Sequence, residues 1–236
     1  TGAEKRGIAR HGIVIECKKE RYHFNALIER NLFHDFPPKR DPEDFHSGYV
    51  GAVWVDTNIA GASNQANAII AYNLFQNMPK EMTAALTVKA CRTFVRFNTF
   101  LNGSSFVSLR QRWGNEVVGN WFENWNHLRI YDADHRILGN KFVNATGIWL
   151  ATGTVEPRQA VKGWPYATHC LLAWNEGPIR VGVPWHPLPA SHNIIEAHIG
   201  PIHSEHHLDT VVRDRSSVEP IQPLRLTPAE VGPTAP

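Results

Sequence analysis

The hydrophobic pattern of this chain changes at Gly114, and that change constrains the fold more than any other feature. Before it, Met82, Leu86, Ala90, Phe94, Phe97 and Leu101 recur every three or four residues, which places them on one side of a helix. The same spacing gathers Phe24, Leu27, Ile28 and Leu32, and then Ala66, Ile69, Ile70, Leu74 and Phe75 behind a cap at Ser63. Two runs in this half, 12–18 (GIVIECK) and 49–57 (YVGAVWVDT), read as strands. After Gly114 the period is two. Residues 127–142 (HLRIYDADHRILGNKF) read as strand, Asp-rich turn and strand. The runs GIWLATGTV, THCLLAWNE, PIRVGVPW, NIIEAHIG and TVVRDR follow, divided by Gly and Pro.

Helices early and strands late predict one α+β domain over 1–215, with the helices packed on a largely antiparallel, hairpin-rich sheet. Residues 216–236 carry five prolines and read as an extended tail. No internal repeat is apparent, and no low-complexity tract outside the tail.

A chain of 236 residues, 42% hydrophobic and 19% charged, is long and apolar enough to bury a core. Its net charge of +2 does not by itself imply nucleic acid. Cys17, Cys91 and Cys170 are odd in number and far apart, which excludes a CxxC zinc ribbon and argues against a disulfide framework. An intracellular, reducing (cytoplasmic) location is therefore expected. No apolar run of about 18 residues and no signal peptide is present, so no membrane partner is expected. A start at Thr1 suggests processing or trimming. With no glycine-rich phosphate loop after a strand, a dinucleotide or P-loop site is not expected.

The chemistry concentrates late in the chain. Residues 191–207 hold five of the 13 histidines: His192, His198, His203, His206 and His207. On a regular strand His192, Glu196 and His198 share a face and offer two imidazoles and a carboxylate to a divalent ion. His198, His203 and His206 are the candidate acid–base groups, with Asp209 orienting an imidazole. Asp56, at a strand end, and Asp132 with Asp134, at a turn, are further candidate ligands for Zn, Mn or Mg.

The stretch VDTNI (55–59) resembles the opening of PIN-domain ribonucleases. That resemblance implies a metal held by Asp56, Glu81, Asp132 and Asp134. VIECKK (14–19) resembles the E-x-K arm of restriction-type nucleases, which implies roles for Glu16 and Lys18. A basic stripe supports the same direction. Lys80, Lys89, Arg92, Arg96, Arg110 and Arg112 face a single acid, Glu81. On the expected helix Lys89, Arg92 and Arg96 share one side and could follow a phosphate backbone, with Trp113 stacking on a base.

Two readings emerge. The first is a hydrolase or lyase with a His/Asp site, possibly metal-assisted, acting on a nucleic-acid phosphodiester or a nucleotide. The second is a non-catalytic, self-assembling coat or shell subunit, a homo-oligomer joined through its tail.

Overall fold

A computed structural model describes residues 10–17, 25–36, 50–57, 65–79, 84–158 and 163–231. The chain winds repeatedly through three parallel sheets. Sheet A holds eight strands: Arg10–Cys17, Val50–Thr57, Leu86–Lys89, Val107–Leu109, His127–Ile130, Gly147–Ala151, Ile179–Val183 and Ile202–Ser204. Sheet B holds another eight, from Leu27–Glu29 to Val211–Arg213. Sheet C holds five, from Leu32–His34 to Lys141–Val143. Successive strands pass from A to B to C and back to A, and each pairs in parallel with its counterpart one coil on. This is a parallel β-helix. In the last coils sheet C is absent, and a two-stranded sheet, Ala190–Ser191 with His207–Leu208, appears.

The expected α+β fold is thereby overturned. The described residues contain no α-helix; a 3-10 turn at Pro228–Glu230 is the one helical element among them. The expected helix over 79–101 is instead a strand of each sheet in turn: Leu86–Lys89 in A, Phe94–Arg96 in B and Thr99–Gly103 in C. Strands of three to five residues joined by corners of two to four residues return an inward side chain every few residues, which imitates a helical period. No helix among the described residues is long and apolar enough to cross a membrane.

Stacking makes the core. Along sheet B, Ile28, Ile70, Val95, Val117, Ile137, Leu172 and Ile195 lie in register and are all buried. The column ends on Val212, which is exposed. Sheet C supplies Phe33, Phe75, Phe100, Phe122 and Phe142, stacked with centroids 4.8, 4.7, 4.6 and 4.5 Å apart. Those intervals are the strand spacing itself, so each ring covers the next without distortion.

The corner from B to C bends through one left-handed residue per coil: Arg30, Tyr72, Phe97, Gly119, Gly139, Trp174 and Ala197 all have positive φ. Five of the seven are neither glycine nor asparagine, so the bend is unfavourable in itself. An asparagine ladder holds it. The backbone N–H of Asn31 donates to Asn73 Oδ1, and the same bond repeats from Asn73 to Asn98, Asn120, Asn140 and Asn175.

The proline-rich segment leaves the helix after Arg213 and runs back along this corner. Trp174 Nε1 donates to Val218 O at 2.7 Å, and Leu226 N donates to Thr99 Oγ1 at 2.7 Å. A Cβ on Gly139 would meet Ile221 O at 2.4 Å, so this glycine admits the tail's close approach. The described part of the tail packs on its own chain.

Candidate functional site on the outer face of sheet A

Side chains alternate along a strand, so every second residue of sheet A points away from the core. Parallel register aligns these outward residues in rows. One row is Trp54, Thr87, Ser108, Arg129, Trp149, Arg180 and His203. A second begins with the backbone pairing of Asp56 and Lys89. It continues through Arg110 and Tyr131, whose N–H groups donate to Val88 O and Leu109 O at 2.8 and 3.0 Å. Phe106 and His127 flank the first row on its other side.

The rows are bound together by ring contacts. Lys89 Nζ lies 4.3 Å from the Trp54 ring, and Arg110 Cζ lies 3.9 Å from that of Trp164. Arg129 Cζ is 4.3 Å from Phe106, 5.4 Å from Tyr131 and 5.9 Å from Trp164. Arg180 Cζ is 5.8 Å from Trp149. His127 is sandwiched between Phe106 at 5.1 Å and Trp149 at 3.8 Å, both nearly parallel to it. Lys89, Arg110 and Arg129 thus sit on three successive coils, about 4.8 Å apart along the helix axis.

Burial sets the ionisation of this face. The His127 imidazole is driven down to about 3, first by desolvation and then by the Arg129 charge, so it is a neutral platform. Desolvation also lowers the Arg129 guanidinium. The Tyr131 phenol is raised by burial, against the charges of Arg129 and Arg110 and a hydrogen bond with Arg129; it keeps its proton at neutral pH. On the floor, the hydroxyls of Thr87 and Ser108 are buried without a hydrogen-bond partner among the described residues, as are His127 Nε2 and Trp149 Nε1. Buried polar atoms normally find partners, and four together mark a surface suited to a hydroxyl-rich ligand.

The residues expected from the sequence are scattered. Lys89 and Arg110 lie on this face, and His203 at the end of its first row. Arg92 occupies an exposed corner and donates to Gln65, while Arg96 is on sheet B beside Glu116. Trp113 is in the turn from A to B. The expected row of phosphate-binding cations along one helix therefore does not form, and nucleic-acid binding loses its support. Asp56 belongs to the strand Val50–Thr57 by backbone; Lys18, Lys80 and Glu81 lie outside the described residues.

The late histidines spread over a whole coil. His198 follows Asn175 in register, at the next rung of the asparagine ladder. It lines a pocket of about 270 Å³ with Trp174, Ile202 and Val212, and burial depresses its pKa. Glu196 is buried at 2% exposure; Ser217 N, the hydroxyls of Ser217 and Ser216, and Arg213 donate to it and hold its pKa down. It is thereby an anchor for the tail. His192 Nε2 lies 3.5 Å from Asp209 on the exposed surface and stacks on His169. His203 is exposed at the end of the first outward row, and His206 Nε2 bonds Pro187 O. Asp132 is buried in the turn after Tyr131, and Asp134 pairs with Arg158. Among the described residues, no three His, Cys, Asp or Glu side chains are grouped to hold a metal ion.

No family model and no curated protein matches this chain. Solved structures do. A mannuronic acid specific polysaccharide family 6 lyase from human gut microbiota aligns with a TM-score of 0.69 at 16% identity, over 89% of this chain and 48% of that one. A PL6 alginate lyase in complex with a trisaccharide aligns at 0.68 and 16%, over 92% and 58%. A PL6 family polysaccharide lyase from Pseudopedobacter saltans aligns at 0.63 and 14%, over 91% and 65%. At such identities the likeness establishes the fold. The chain spans about half to two thirds of the length of these structures.

Proposed function

We propose that this chain acts as a lyase on an acidic, uronic-acid polysaccharide, bound along the outer face of sheet A. One observation carries the reading: Lys89, Arg110 and Arg129 on three successive coils, in a face walled by aromatic rings. A chain bearing one carboxylate per sugar matches a surface bearing one cation per coil. The aromatic rings offer apolar faces to the sugar rings between those charges. The comparison structures are lyases on this same fold, which supports the assignment of activity.

Cleavage by β-elimination needs three things. The carboxylate must be neutralised so that the adjacent C5–H becomes acidic; a base must take that proton; and the leaving oxygen on C4 must be protonated. The C5–H electron pair becomes the C4=C5 double bond as the C4–O bond breaks, so no water is consumed. Arg129 and Arg110 suit the carboxylate, since a guanidinium binds it with two parallel N–H donors. Lys89 is assigned as the base: its amine stands on the coil before Arg110 and, once deprotonated, can take the C5 proton. The far end of the row, Arg110 with Tyr131, lies beside the leaving oxygen, where the protonated phenol can donate.

The test is direct. Polymannuronate, polyguluronate and mixed alginate are each incubated with the protein, and the ultraviolet absorbance of the new conjugated double bond is followed. A neutral glucan and single-stranded DNA serve as comparisons. Absorbance should grow with at least one polyuronate, with neither comparison polymer, and not with Lys89→Ala. Absence of unsaturated product from every uronate polymer would overturn the reading.

A further inference from the structure

Trp164 touches both Arg110 and Arg129 but does not come from a sheet A strand. It also lies 5.0 Å from Tyr131 and 6.0 Å from His186. Its segment leaves sheet A at Ala151 and returns to sheet B at Leu171. One end of that excursion is pinned to the helix body: Thr152 Oγ1 donates to Val183 O at 2.6 Å. The two limbs then pair, with Thr154 N donating to Trp164 O at 2.6 Å and Trp164 N to Thr154 Oγ1 at 3.1 Å.

A second anchor comes from the turn after Tyr131. Asp132 is fully buried, and its Oδ1 accepts from Ala133 N and from Arg158 N, both at 2.9 Å. Arg158 also pairs with Asp134 and is held at a φ of +63°, a conformation a non-glycine residue adopts at some cost. Burying a carboxylate is unfavourable unless it is used. Here its reach extends 26 residues along the chain, from the turn after Tyr131 to the outgoing limb, whose Thr154 pairs with Trp164 on the returning limb.

We propose that Asp132 is a positioning residue: by holding Arg158 N it fixes the outgoing limb, whose Thr154 pairs with Trp164 and lays that ring against Arg110 and Arg129, and so sets the angle of the two carboxylate-binding guanidiniums. The catalytic consequence rests on the lyase reading; the placement of Trp164 does not. Asp132 touches no sugar in this scheme and acts through Trp164.

Two measurements test it separately. The first needs no substrate. The near-ultraviolet circular dichroism of Trp164 is isolated as the difference between a protein and its Trp164→Phe partner. That difference should shrink when Asp132→Ala is introduced and persist in Asp132→Asn, which keeps Oδ1 as acceptor. The second is a double-mutant cycle in kcat/KM on a uronate oligosaccharide, run well below every variant's Tm. Asp132→Ala should lose about tenfold or more in the wild-type background. In Trp164→Ala it should lose less than about twofold, because the path is already cut. Asp132→Asn should recover most of the loss. If Asp132→Ala does not fold, Asp132→Ser replaces it, one bond shorter than the reach to Arg158 N. An undiminished Trp164 signal in Asp132→Ala, or an equal loss in both backgrounds, would overturn the proposal. If the wild type cleaves no uronate polymer, the lyase reading fails, and the spectral difference alone decides the positioning claim.

Discussion

The inner corner between sheets B and C and the outer face of sheet A are built by opposite rules. At the corner, successive coils repeat one residue type at one position: six asparagines in line, with five phenylalanines two residues further on. On the outer face no residue type is repeated from one coil of a row to the next. The first row reads Trp, Thr, Ser, Arg, Trp, Arg and His. Identical groups in register satisfy one another, so the corner gains most when every coil is alike. A face that binds a ligand needs different groups at different heights. Repetition therefore marks what holds the helix together, and its loss marks where chemistry is placed.

The sharpest test crosses one substitution from each region. Phe100→Ala removes a ring stacked on both sides and should destabilise the fold by about 4 kcal/mol, read as a fall in the urea midpoint. Asn120→Ala should act similarly, because Asn98 N and the carbonyls of Val95 and Val118 all lose a buried partner. Lys89→Ala should do the reverse. Activity should fall about a thousandfold, equivalent to roughly 4 kcal/mol in the barrier, while the midpoint moves little. If Lys89→Ala unfolds the protein as readily as Phe100→Ala, the two regions are not divided in this way.

This division also explains what could be read in the sequence. Asn-x-Phe occurs at 31–33, 73–75, 98–100, 120–122 and 140–142. It is a repeat in plain view, but its spacing runs 42, 25, 22 and 20 residues. Coils absorb insertions between sheets, so no fixed period exists to be found. The basic stripe over 80–112 was visible and includes Lys89 and Arg110; its geometry was not, because a helical reading placed Lys89 with Arg92 and Arg96 instead. Arg129 and Trp149 give no sequence signal because each is a lone outward residue between apolar neighbours, and Tyr131 is absorbed into the start of the Asp-rich turn. The histidines of 191–207 drew attention by composition, yet a coil turns three-residue strands in different directions and disperses them. In the tail, Ile221, Leu224 and Leu226 stand isolated among prolines and gave no sign of the groove they fill.

A smaller effect separates the two regions by pH. His127 on the outer face and His135 beneath it are both buried, with pKa values lowered to about 3 and about 4 from 6.5. The unfolded chain takes up these protons below about pH 6.5, whereas the folded chain does so only near 3 to 4. Their stabilising contribution is complete above pH 6.5 and is lost as pH falls, by up to about 1.4 kcal/mol per unit for each ring. His127→Phe preserves the stack with Phe106 and Trp149 and removes one titration. His135 cannot be exchanged so simply, since Nδ1 accepts from Asn115 N and Nε2 donates to Tyr131 O. The urea midpoint of His127→Phe should therefore fall less than that of the wild type between pH 6.5 and 4.5, by about 2 kcal/mol at the lower end. Parallel curves for the two proteins would show that the outer ring is not held neutral by the fold.

The smallest effect lies where the repeat ends. His198 occupies the rung after Asn175; its ring lies against the backbone of Asn175 and Gly177, but among the described residues neither ring nitrogen makes a hydrogen bond of good geometry. On every earlier rung the asparagine Oδ1 accepts the N–H of the asparagine before it. His198→Asn would supply that acceptor to Asn175 N and extend the ladder by one coil. One added buried hydrogen bond contributes about 1 kcal/mol, so the midpoint should rise slightly while polyuronate cleavage stays as it was. A histidine that served as acid, base or metal ligand would respond in the opposite way, with activity lost and stability little changed. The same substitution thus decides whether the last coil belongs with the repeating corner or with the face that does chemistry.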